Sequence, residues 1–78
     1  MEEKRRQAEA WLAKGRSLEE NPAAAAEACR RALALFEELG CTGMARDLCL
    51  TLADLDMQQG NLHGADFWYV RAMGYPEK

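Results

Sequence analysis

The residues able to do chemistry are few: Cys29, Cys41, Cys49, a single histidine at position 63 and the basic run Lys4-Arg5-Arg6. Three cysteines are an odd number, and no C-x-x-C spacing occurs among them. Neither a disulfide framework nor a zinc site with its four ligands is spelled out. His63 and Asp66 stand three apart, which places them on one helix face, but two ligands hold a metal only weakly. Catalysis requires a nucleophile or an acid–base pair in a desolvated pocket, and no histidine shares a face with a cysteine. The chain therefore reads as a non-enzyme, with no catalytic residue, metal site or cofactor expected. Cys29 and Cys49 fall on apolar helix faces, where cysteine behaves as a small hydrophobe. They are expected to be buried and reduced in an intracellular protein, with Cys41, in a connection, the more reactive thiol.

Charge narrows the partners. The net charge of −3 opposes the basic field that nucleic acid demands, and basic patches interleaved with aromatics are absent. Lys4-Arg5-Arg6 is preceded by Glu2 and Glu3, and Glu2 stands four residues from Arg6, the spacing of a supporting helix pair. A solvated helix start accounts for the run. No apolar run approaches the roughly 18 residues of a membrane span. Met1 to Gln7 is charged and lacks the apolar core of a secretory signal. A cytoplasmic location, with no membrane and no nucleic-acid partner, is the expectation.

The elements that must position any site are helical. One valine and no isoleucine occur, while alanine and leucine dominate. Asn21-Pro22 reads as an N-cap followed by proline at the first helical position, where its missing N–H costs nothing. Gly40 and Gly60 read as left-handed C-terminal caps, Thr42 and Asn61 as N-caps, and Gly74 with Pro76 as the close of the last helix. This punctuation predicts helices over 3–19, 22–39, 43–59 and 62–73, joined by connections short enough to force antiparallel neighbours. Each carries an apolar stripe at helical spacing. The first stripe runs Ala8, Trp11, Leu12, Gly15 and Leu18. Ala25, Ala28, Cys29, Ala32, Leu33 and Phe36 form the second. Ala45, Leu48, Cys49, Leu52 and Leu55 form the third. Leu62, Ala65, Trp68, Tyr69, Ala72 and Met73 make the fourth. At 78 residues the chain is one domain, burying about 60% of the surface its unfolded form exposes.

The sequence also repeats. Shifted by forty residues without gaps, Arg6 meets Arg46, Leu12 meets Leu52, Ala13 meets Ala53 and Asn21 meets Asn61. Ala25 then meets Ala65, Arg31 meets Arg71, Ala32 meets Ala72 and Glu37 meets Glu77. A fixed period of this size marks a helical repeat array. The segment Leu52-Ala53, Gly60-Asn61-Leu62, Ala65, Tyr69, Ala72 and Pro76 resembles the tetratricopeptide pattern. The first half, with Trp11, Gly15, Ala25, Ala32 and Leu33, is similar but looser. The stretch from Ala32 to Gly40 resembles the longer, forty-residue variety. Helix 1 admits two registers, one through Leu12-Ala13 and one through Trp11 and Gly15.

The resemblance implies an all-α fold of two antiparallel helical hairpins, four helices stacked as a short right-handed superhelix, with repeats at about 5–40 and 45–76. It also implies a groove lined by the first helix of each hairpin, holding an extended peptide or a partner helix. On helix 3 the face left over beside the core stripe is Asp47, Leu50, Asp54, Met57 and Gln58, suited to a partly apolar, partly basic protein or peptide. Leu50 and Asp54 stand where relatives that grip a C-terminal carboxylate carry cations, so that ligand class is not expected. The chain would then act as an adaptor or scaffold. The alternative is an assembly module. Phe67-Trp68-Tyr69 cannot all face one seam, because successive helical residues point about 100° apart. Phe67, Trp68 and Tyr75 are the residues through which the end of helix 4 would self-associate or dock on a neighbouring domain.

Overall fold

The computed structural model describes residues 2–18 and 20–75. Four helices make up most of them: α1 (Glu2–Ser17), α2 (Pro22–Glu38), α3 (Thr42–Gln58) and α4 (Leu62–Met73). No strand occurs among the described residues. The fold is all-α, built of helical hairpins.

The boundaries have local causes, and the two hairpins share them. Asn21 accepts the Ala24 N–H on its side-chain oxygen at 3.2 Å, and Asn61 accepts the Gly64 N–H at 3.1 Å. Gly40 and Gly60 take φ values of 74° and 77°, the left-handed conformation that lacks a Cβ penalty only in glycine. Behind each glycine the chain folds back onto the helix it leaves. The Cys41 N–H donates to the Phe36 carbonyl at 2.9 Å, and the Asn61 N–H donates to the Asp56 carbonyl at 2.8 Å. Helix-final carbonyls are thereby satisfied twice in the same way. One expected cap is displaced. Thr42 is the first residue of α3, and Cys41, which makes no side-chain capping bond, holds the N-cap position. Pro76 lies outside the described residues.

Packing follows chain order. α1 packs on α2, α2 on α3 and α3 on α4, and no other pair of helices comes into close backbone contact. A closed four-helix bundle would bring α1 against α4. Here the helices form an open row, with Cα atoms extending 36 × 27 × 14 Å. Phe36, Leu48, Leu52, Cys29 and Cys49 are the largest fully buried side chains. Ala25, Ala28, Ala32, Ala45, Ala53, Ala65 and Ala72 are buried beside them and let the helix axes close in.

The register of α1 is decided by burial. Gly15 is buried, and a Cβ on it would stand 2.9 Å from Cys29 Sγ and 3.4 Å from the Ala25 carbonyl oxygen. Ala13, its rival for the small contact position, is exposed. Gly15 therefore corresponds to Ala53, which is fully buried on α3.

α4 departs from its expected stripe. Ala65 and Ala72 are buried and Trp68 is half-buried, but Leu62, Tyr69 and Met73 are exposed. The cause is position: among the described helices α4 has one neighbour, α3, so only one flank of it is shared.

Gly15→Val should destabilise the chain by about 1–3 kcal/mol, the usual cost of overpacking a tight seam. Ala13→Val, in the same helical turn but exposed, should cost only its helix-propensity difference, about 0.6 kcal/mol. Urea unfolding followed by circular dichroism distinguishes them. Equal effects would refute the register.

Candidate functional site

Because α1 and α3 both pack on α2 without closing on each other, a hollow of about 570 Å³ remains between them. Its α1 wall is Leu12, Gly15 and Arg16, and its α3 wall is Thr51, Leu55 and Gln58. Ala25 and Cys29 of α2 line it between the two walls. Gly15, Ala25 and Cys29 are themselves buried.

The hollow combines apolar surface with hydrogen-bonding groups. Leu12 and Leu55 offer hydrocarbon, while Arg16, which makes no ion pair among the described residues, brings a cation. Across from it Gln58 donates through Nε2 to Asp54 Oδ2 at 3.3 Å, and Thr51 Oγ1 donates to the Asp47 carbonyl at 3.1 Å. Burial pushes the Cys29 thiol up from its ordinary pKa, against the opposing charges of Arg16 and Arg30. The thiol is neutral at physiological pH and acts as apolar lining.

Of the five residues expected on the α3 face, Gln58 lines this hollow. Leu50 lines a smaller one of about 260 Å³ at the other side of α3, with Arg46, Tyr69, Ala72, Met73 and Tyr75. Asp47, Asp54 and Met57 stand exposed on the crest between the two and line neither. Helix geometry explains the split. Leu50 and Thr51 are adjacent in sequence but point about 100° apart, so one turns toward α4 and the other toward α1. Leu12, Gly15, Thr51 and Leu55 are not among the binding residues that the sequence points to. The signal for Thr51 and Leu55 is their spacing of three and four from Gln58. No sequence signal exposes the α1 wall until the register is known.

The three residues expected to form an assembly surface have different surroundings. Phe67 is exposed and meets Trp68 edge-on, with ring centroids 4.9 Å apart and planes at 76°. Trp68 packs against the core, and the Arg71 guanidinium lies 5.8 Å from its ring centroid. Tyr75 joins a network that ties the two hairpins together. Its hydroxyl donates to Glu37 Oε2 and accepts from Arg71 Nε at 3.3 Å, while Arg71 Nη2 reaches the same Glu37 oxygen at 2.6 Å. Cys49 Sγ approaches the Tyr75 hydroxyl at 3.8 Å.

Protonation states reflect the network. Burial pushes the Glu37 carboxyl up, but hydrogen bonds from Arg71 and Tyr75 and the charge of Arg71 outweigh it, leaving the pKa below its ordinary value. The Tyr75 phenol is pushed up to about 12 from 10.0, by burial first, then by bonding to Glu37 and Cys49 against the opposing Arg71. Burial likewise pushes the Cys49 thiol up.

His63 and Asp66 are exposed, and no group of three potential metal ligands gathers among the described residues. None of the described helices is long and apolar enough to cross a membrane. No family model matches the chain, and no curated protein or solved structure matches it significantly.

A phenol with a raised folded-state pKa stabilises the fold fully below its unfolded value, and that contribution is lost as pH climbs through the folded value. The stability advantage of the native chain over Tyr75→Phe should therefore be constant up to about pH 10 and shrink toward pH 12. Thermal melts of both proteins across that range measure it. A constant difference throughout would contradict the hydrogen-bonded placement of Tyr75.

Proposed function

We propose that the chain is a protein-interaction module, an adaptor or scaffold that holds an extended peptide or a partner helix between α1 and α3. The single observation that carries the reading is the open hollow of about 570 Å³, walled by two helices and backed by a third. A hollow lined by apolar side chains and a few directional polar groups suits a peptide. Leu12 and Leu55 would take the ligand's apolar side chains, and Arg16 and Gln58 its backbone or polar groups. The exposed carboxylates of Asp47 and Asp54 border the α3 wall and favour basic residues at the ligand's edge. The likeness of the two hairpins to tetratricopeptide repeats, whose first helices line such grooves, supports the same reading.

Peptides selected against the immobilised chain from a displayed random library should share apolar positions flanked by lysine or arginine. Thr51→Trp, an exposed position whose new side chain would fill the hollow, should weaken the selected peptides at least about tenfold, or about 1.4 kcal/mol. Met57→Lys, on the crest outside the hollow, should weaken them much less. Failure to select any peptide, or binding indifferent to Thr51→Trp, would defeat the proposal.

A further inference from the structure

The bare end of the row is α4. Leu62, Tyr69 and Met73 lie along one stripe of it, with Asp66 among them, and Val70 and Phe67 are exposed on its flank. The matching positions of the first hairpin, forty residues earlier, show what such a face does. Ala26, Cys29 and Leu33 of α2 are 2%, 2% and 4% exposed in a core to which α1 and α3 both contribute, Cys29 lying against Gly15 of α1. Their counterparts on α4 include Tyr69 at 44% and Met73 at 77%. One face is covered in the first hairpin and uncovered in the second.

The other end of the row does not fit that face. With Gly15 aligned on Ala53, the buried leucines 48, 52 and 55 of α3 correspond in α1 to Ala10, Lys14 and Ser17, all exposed. A face carrying lysine and serine leaves Tyr69 and Met73 without an apolar match. Head-to-tail stacking of copies is therefore disfavoured by the chain itself.

We propose instead that α4 is the interface of a symmetric homodimer, in which two α4 helices pack antiparallel about a two-fold axis between positions 67 and 68. A two-fold interface must be self-complementary, and this stripe is. Antiparallel pairing sets Leu62 against the partner subunit's Met73 at both ends. At the centre it sets Asp66 beside the partner subunit's Tyr69, so that each phenol donates to a carboxylate across the interface. The opposed helix dipoles add to this. Aromatic side chains bury about 150–250 Å² each when fully covered. Leu62, Tyr69 and Met73 of the stripe, with Val70 beside them, are 44–77% exposed and together supply a few hundred Å², short of but approaching the roughly 800 Å² per partner of a standard interface. α4 contributes nothing to the larger hollow. The dimer therefore leaves the larger hollow of each copy open, while covering the smaller one that Tyr69 and Met73 line, and the inference stands independently of what the larger hollow binds.

Sedimentation of the native chain over a concentration series should show the mass rising from 8.7 kDa to twice that value. Leu62→Glu and Met73→Lys should each give monomers with unchanged helical circular dichroism, because both side chains are exposed in the single chain. Mixing the two variants should restore a dimer. At one end of that heterodimer the introduced charges attract, and at the other the native Leu62 and Met73 meet. A native chain still monomeric near millimolar concentration would overturn the proposal. So would a dimer indifferent to Met73→Lys, or a mixture that stays monomeric.

Discussion

The closeness of neighbouring helices is the constraint from which the remaining structure follows. Gly15 faces Ala25, Ala28 and Cys29 at distances that leave little room for a methyl group. Ala53, Ala65 and Ala72 are buried where the second hairpin closes. Small residues bury little hydrocarbon themselves, but they bring the backbones near enough for Phe36, Leu48 and Leu52 to fill a continuous core. Gly64 shows the same tightness at the tip of the second hairpin, where a Cβ would overlap the Asp56 carboxylate and the Asn61 side chain.

Serial packing has a consequence for every surface. Among the described residues α1 meets only α2, and α4 meets only α3, so each outer helix has a face that no described helix covers. The α1 end is polar. Lys4 reaches Glu38 at 2.7 Å, Arg6 pairs with Glu2, and Trp11 lies between the Lys14 and Arg31 cations at 5.2 and 5.0 Å. Exposed ion pairs of this kind add little stability, but they keep the face hydrated. The α4 end is apolar. A single chain carrying one hydrated end and one bare end has a direction built into it.

The tie between hairpins illustrates how position changes the role of equivalent residues. Arg31 and Arg71 match under the forty-residue shift. Arg31 bonds Glu27 within its own helix, whereas Arg71 reaches across to Glu37 of the preceding hairpin and meets Tyr75 on the way. The first hairpin has no predecessor among the described residues to reach.

What the sequence by itself determined was local and periodic. Asn21, Gly40, Gly60 and Asn61 set helix boundaries within a residue or two because caps and left-handed turns depend on a few neighbouring backbone groups. The buried stripes of α2 and α3 were legible because both helices are flanked on two sides, so apolar periodicity and burial coincide. Tertiary structure alone decided the rest. The α1 register depended on which small residue meets α2, and Ala13 and Gly15 are equally small on paper. Helical spacing cannot say whether the face holding Leu50 turns to α1 or α4, since a rotation of about 100° separates the two. Tyr69 and Met73 read as core because their spacing is that of Cys29 and Leu33. Among the described helices α4 packs on α3 alone, and that leaves them bare.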